Sequence, residues 1–267
     1  MELDSASDGG KMCQRFYPKS LLITGASSGI GKALALGYAC SDIILHLCGR
    51  DEKRLKEVAK LCQEKGSKVF IYLFDTTDEK AAQKAIQKAN QNAPLDLVIV
   101  NAGVSGGVLG TDETPVSTRQ IMQTNVFGTL NTVLPAIEVM KKRGGQIALV
   151  ASLAGYRGMG SCPAYSASKA CVKAFGEDLR GHHKYKNLHV TTICPGFIET
   201  PLTDKNQFYM PFLMKADKAA KIIRRRLEKA PALIAFPWPM AFGAWLGGAL
   251  PTWLALPLFA LFPKKEK

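Results

Sequence analysis

Histidine is scarce in this chain, with four among 267 residues, and the seven cysteines show no paired spacing. No Cys-x-x-Cys occurs. Neither Cys13, Cys40, Cys48, Cys62, Cys162, Cys171 and Cys194 nor His46, His182, His183 and His189 stand at metal-ligand intervals, so no metal site is expected. Most of the cysteines lie in apolar stretches, which predicts buried thiols in a reducing compartment. Acidic residues are also few, 22 against 35 lysines and arginines, for a net charge of +13. Such an excess raises the question of nucleic acid. No basic stripe with interleaved aromatics is present, so lysines spread over helix surfaces account for the charge and nucleic acid is not an expected partner. Residues Met1 to Gly10 lack the pattern of a signal peptide, and residues 1–18 are expected to fray.

What the chain has in abundance is apolar sequence: 47% of it is hydrophobic, enough for a sizeable core. The run Leu21-Leu22-Ile23 leads into Thr24-Gly25-Ala26-Ser27-Ser28-Gly29-Ile30-Gly31, and Lys32 to Ala39 continues as a helix. A glycine-rich turn between a strand and a helix lets backbone N–H groups approach a phosphate at the positive end of the helix dipole. Alone, that spacing is also met in tight structural turns. Further strands are predicted at Ile43 to Cys48, Val69 to Phe74, Leu95 to Val100, Gln146 to Val150, Leu188 to Ile193 and Ala232 to Phe236. Helical periodicity fills the intervals, including a long stretch from Val116 to Arg143 with a bend expected at Pro135. The fold class is therefore α/β: a doubly wound, Rossmann-type parallel sheet of about seven strands over residues 19–236, with helices on both faces. Ligands of such sheets sit at the carboxyl ends of the strands.

Tyr165 and Lys169 are four apart on a predicted helix and so share a face. A phenol with a pKa of roughly 10 needs roughly 4 kcal/mol of preferential stabilisation to ionise near neutrality, and an adjacent ammonium is a suitable perturbation. Ser152 ends the preceding strand and stands where it could bind a substrate oxygen. The glycine turn, Asn101-Ala102-Gly103, Asn125, Ser152, Tyr165-Ser166-Ala167-Ser168-Lys169, Pro195-Gly196 and Thr200 together resemble the short-chain dehydrogenase/reductase family, in order and in spacing.

The resemblance implies roles. Tyr165 exchanges the proton, Lys169 lowers its pKa and holds the nicotinamide ribose, and Ser152 orients the reacting oxygen. Asn125 holds a water that links Lys169 to solvent. Thr24, Gly25, Ser27, Ser28, Gly29, Ile30 and Gly31 bind the dinucleotide, with Asn101, Ala102 and Gly103 beside them and Asn101 steadying the central strand. Asp75 and Thr76 meet the adenine, and Pro195, Gly196, Ile198 and Thr200 the nicotinamide. The second strand ends Cys48-Gly49-Arg50, with glycine where an acid would bind the ribose 2′-hydroxyl. Arg50 therefore predicts NADP(H), with Asp51 assigned to capping the next helix. The expected activity is hydride transfer between NADP(H) and a carbonyl or alcohol. A soluble reductase of small carbonyls whose C-terminal run is a dimer arm is the alternative among enzymes, and a non-catalytic NADP(H)-binding regulatory protein the alternative from another class.

From Ala230 to Pro263 no residue is charged, Trp238, Trp245 and Trp253 lie within the run, and Lys264-Lys265-Glu266-Lys267 closes it. Three readings compete for residues 237–267. They are an arm over the substrate cleft or a partner subunit, a segment lying in a membrane surface, and a span. The aromatics and basic flanks favour membrane attachment of a cytoplasmic, homo-oligomeric enzyme acting on a hydrophobic substrate. The expected substrate pocket draws on residues 105–114, 153–163 and 202–214, with Met159, Phe208, Tyr209, Met210, Phe212 and Met214.

Overall fold

The computed structural model describes residues 16–105, 113–158, 162–182, 187–204 and 209–260. The expected disorder of the N-terminus, Met159, Phe208 and the closing lysines lie outside or largely outside these residues. Strand and helix alternate through the first half: β1 (Ser20–Thr24), α1 (Gly29–Tyr38), β2 (Ile44–Gly49), α2 (Glu52–Glu64), β3 (Lys68–Leu73), α3 (Glu79–Asn92) and β4 (Leu97–Val100). Helices α4 (Pro115–Met122) and α5 (Gly128–Met140) follow, then β5 (Gly145–Val150) and α6 (Pro163–Gly181). The remainder comprises β6 (Leu188–Pro195), β7 (Ile198–Glu199), β8 (Met214–Lys215), α7 (Ala216–Leu227), β9 (Leu233–Phe236), α8 (Trp238–Ala249) and α9 (Thr252–Ala260).

Seven strands form one sheet in the order β3-β2-β1-β4-β5-β6-β9, and every pair is parallel. All five residues of β1 are buried, as expected for a strand covered on both faces. Alternate residues feed two cores. Leu21, Ile23, Leu45 and Leu47 pack with Leu34, Leu55 and Ile223 of α1, α2 and α7. Leu22, Val98 and Ile147 pack with Ile86, Ile137 and Val172 of α3, α5 and α6. The order reverses between β1 and β4, so the loops after these two strands open a crevice at their carboxyl ends.

Several expectations are corrected. The long helical stretch expected from Val116 to Arg143 is two helices: Pro135 sits inside α5, and the hydrogen-bond register changes between α4 and α5 in a π-turn at Gln123–Phe127. Cys48, Cys62 and Cys194 are buried, but Cys40 and Cys171 are exposed, on the turn after α1 and the outer side of α6. Met214 belongs to the core beneath α7 rather than to a pocket.

Membrane attachment is also corrected. Among the described residues no helix is long and apolar enough to cross a membrane. The apolar run is divided at Pro251 into α8, with 12 residues, and α9, with nine. A 12-residue helix is about 18 Å long, well short of a hydrocarbon core of about 30 Å. Helix α8 instead folds back on the sheet domain: Met240, Ala241 and Ala244 pack against the core on the α6 side. Arg157 donates from Nη1 to the carbonyls of Gly247 (3.1 Å) and Leu250 (2.5 Å), and from Nη2 to the Thr252 hydroxyl (3.0 Å).

Candidate active site

The turn between β1 and α1 has the left-handed backbone its glycines permit, with φ of +65° at Gly25 and +53° at Gly29. A Cβ on Gly31 would lie 2.2 Å from the Gly25 carbonyl oxygen, so only glycine allows α1 to start this close to the turn. Asn101 braces the same turn. Its amide donates to the carbonyls of Thr24 (3.0 Å) and Gly25 (3.3 Å), while the Thr24 hydroxyl accepts from the backbone of Asn101 and Ala102. Helices α2 and α3 are capped by Asp51 and Asp78 and carry an acid in the first turn. Helix α1 has neither: Ser28 makes no side-chain cap bond, and no acid follows it. Its first N–H groups and dipole are thus available to an anion, as the phosphates of a dinucleotide require. Thr200 closes the other side, its methyl 3.0 Å from where a Gly29 Cβ would stand. Ser27 flanks Gly49, and Ile30 packs on the core.

At the adenosine end, Arg50 and Asp75 meet each other: Arg50 Nη1 donates to Asp75 Oδ2 at 3.0 Å, with both side chains partly exposed. Asp75 Oδ1 accepts from the backbone and hydroxyl of Thr77. Burial opposes the Asp75 carboxylate, but the bonds from Thr77 and Arg50 outweigh it and hold its pKa below the ordinary value. Asp51 is engaged with the backbone and side chain of Arg54, which leaves Arg50 as the cation beside Gly49. The Thr76 side chain turns the other way. It is buried against α5, its carbonyl accepting from Asn131 and its hydroxyl touching Gly128.

Ser152, Tyr165 and Lys169 come together at the end of β5 and the start of α6. Burial pushes the Tyr165 pKa up to about 12, and the nearby Ser152 hydroxyl partly offsets the rise. Lys169 Nζ lies 5.9 Å from the Tyr165 ring centroid and donates to the Val150 carbonyl at 2.8 Å. Its burial pulls the ammonium pKa down to about 8. Asn125, in the π-turn, uses its side chain to clasp the backbone of Val104 (2.8 and 2.9 Å) and the Ser168 hydroxyl (3.0 Å). Gly103 lies between Asn125 and Lys169; a Cβ there would meet Asn125 Oδ1 at 3.2 Å and Lys169 Nζ at 3.4 Å. Gly196 donates to the Phe236 carbonyl and is closed over by Pro237 and Met240 of the returning arm. Ile198 turns its side chain into the core, leaving its backbone as the part that can serve a ligand.

Two residues with evident roles here carry no local sequence signal. Glu113 accepts from the backbone N–H of Ala164 and Tyr165, and Arg157 ties α8 to the loop between Ser152 and Tyr165. Their partners are 51 to 52 and 90 to 95 residues away, beyond any periodicity.

A short chain dehydrogenase family model matches residues 19–208. An uncharacterized oxidoreductase of Myxococcus xanthus is 37% identical over 246 residues, covering 90% of this chain and 94% of that protein. A 3beta-hydroxysteroid dehydrogenase of Mediterraneibacter gnavus is 30% identical, covering 74% and 72%. Among solved structures, a short chain dehydrogenase from Mycobacterium paratuberculosis bound to NAD superposes with a TM-score of 0.73 at 22% identity, over 84% of this chain and 98% of that one. The chain belongs to the short-chain dehydrogenase family.

Proposed function

We propose that this chain is an NADP(H)-dependent reductase of apolar ketones, running in reverse as a dehydrogenase of the corresponding alcohols. The observation that carries the reading is buried Lys169 with its Nζ 5.9 Å from the Tyr165 ring, together with buried Ser152 at the end of β5, in a fold whose helix α1 is left uncapped. The nicotinamide, when bound, supplies the hydride to the carbonyl carbon. Ser152 donates a hydrogen bond to the carbonyl oxygen and holds it against Tyr165. Tyr165 gives its phenolic proton to that oxygen as negative charge develops, and an alcohol results. Lys169 keeps a positive charge near the resulting phenolate and takes part in returning the proton. Arg50, the cation after Gly49 at the end of β2, would hold a 2′-phosphate, and Gly49 offers no carboxylate to repel it.

An apolar substrate is supported by the uncharged helix α8, which rests on the turn after Ser152, and by exposed Tyr209 and Phe212 in the segment before β8. The relative named as a hydroxysteroid dehydrogenase fits that chemistry. The test is consumption of NADPH with a series of ketones of increasing chain length. The expected result is kcat/KM rising with apolar length and higher with NADPH than with NADH. A preference for short polar carbonyls would contradict the substrate class.

A further inference from the structure

The geometry points to Glu113 as a positioning residue that holds Tyr165 through its backbone. The inference rests on the role proposed above for Tyr165. Helix α6 starts at Pro163, and Cys162 at the cap position makes no side-chain cap bond. Pro163 has no N–H, so the first unsatisfied donors of the helix belong to Ala164 and Tyr165. One carboxylate takes both. Glu113 Oε2 accepts from Ala164 N at 2.6 Å, and Oε1 accepts from Tyr165 N at 3.1 Å. Paired, charge-assisted bonds at the positive end of a helix are the strong form of a cap.

Glu113 is itself anchored. The next residue, Thr114, caps α4 in a reciprocal box with Ser117, so the backbone carrying the carboxylate is fixed by a second helix start. The remaining members of the site have their own tethers: Lys169 on the Val150 carbonyl, Ser168 on Asn125, and Ser152 on the backbone of Ala154. Tyr165 alone lies in a first turn, the part of a helix that frays when its donors are unmet. Displacing a reacting group by about 1 Å costs on the order of a hundredfold in rate. A cap that fixes the N–H of the catalytic tyrosine therefore acts on the chemical step, although it touches neither substrate nor cofactor.

The test compares wild type with Glu113→Ala and Glu113→Gln, where Gln keeps a single acceptor oxygen. Turnover of a ketone, NADPH affinity and amide hydrogen exchange along α6 are measured on the full chain. The expected result for Glu113→Ala is a fall in kcat of about tenfold or more. NADPH affinity stays within about twofold, because the phosphate cradle is built on α1. Exchange rises at Ala164 and Tyr165 while Val172 to Leu179 keep their protection, and Glu113→Gln recovers part of the loss. The role is overturned if kcat in Glu113→Ala stays within about twofold of wild type. It is equally overturned if exchange rises throughout α6 with NADPH binding lost in parallel, since that is general destabilisation. Wild type that binds NADPH but reduces no ketone would contradict the proposed reaction instead, and the exchange comparison would still decide whether Glu113 holds the start of α6.

Discussion

Burial drives both Tyr165 and Lys169 toward their neutral forms, the phenol up to about 12 and the ammonium down to about 8. The proton thus stays on Tyr165 until the oxygen of a substrate demands it, which suits a general acid in carbonyl reduction. Lys169 remains charged at neutral pH because its pKa still lies above 7. The pairing of Arg50 with Asp75 is a partly exposed contact of small worth, so a phosphate can take over the guanidinium at little cost. Arg50→Ala is expected to raise KM for NADPH by about tenfold or more while changing KM for NADH by less than about threefold, read from initial rates with each cofactor. An equal effect on both would remove the assignment. Tyr165, Lys169 and Ser152 were legible in the sequence because helical spacing and a strand end place them directly. The burial of the Thr76 side chain was not, because the direction a side chain takes after a strand is set here by α5 packing.

At the scale of elements, the contrast between α1 and its neighbours is what makes a binding site. Asp51 and Asp78 satisfy the starts of α2 and α3, whereas α1 begins on Ser28 with its donors unspent. Strands β1, β2 and β3 are also tied by a polar chain: Ser20 Oγ to His46 Nε2 at 3.3 Å, His46 Nδ1 to Tyr72 Oη at 3.2 Å, and Asn92 Nδ2 to Tyr72 Oη at 2.9 Å. Burial lowers the His46 pKa from 6.5 to about 4. Between these values the unfolded chain binds a proton that the folded chain does not, so stability falls as the pH drops through that window. Going from pH 7 to pH 5 should cost about 2 kcal/mol through this residue. Urea unfolding at the two pH values should show that loss in wild type and a smaller one in His46→Gln; an identical loss in both would contradict it. The strand and helix pattern could be read from periodicity. The π-turn could not, because the side-chain bonds of Asn125 to Val104 and Ser168 hold it, and these join segments 21 and 43 residues apart.

At the scale of the whole molecule, the uncharged C-terminal run is the feature that sequence alone misplaced. Its composition matches a membrane segment, but its length is cut by Pro251, and three bonds from Arg157 bring the end of α8 onto the loop beside Ser152. A guanidinium on the last carbonyls of a helix is favoured by the dipole and satisfies acceptors that would otherwise lack partners. Arg157→Ala is expected to cost about 1–3 kcal/mol locally and to raise amide exchange across α8, leaving β1 and β4 protected. Unchanged exchange in α8 would show that apolar packing alone holds the arm. The arm reaches Gly196, where Met240 and Pro237 close over the backbone just after β6. The central step at the carboxyl ends of the strands is the proton transfer assigned to Tyr165. Its most direct test is the reduction of an apolar ketone by Tyr165→Phe, measured alongside NADPH binding by fluorescence. The account predicts NADPH affinity within about threefold of wild type and turnover lowered by roughly 10²- to 10⁴-fold. Turnover in the variant within about threefold of wild type, with binding intact, would contradict it.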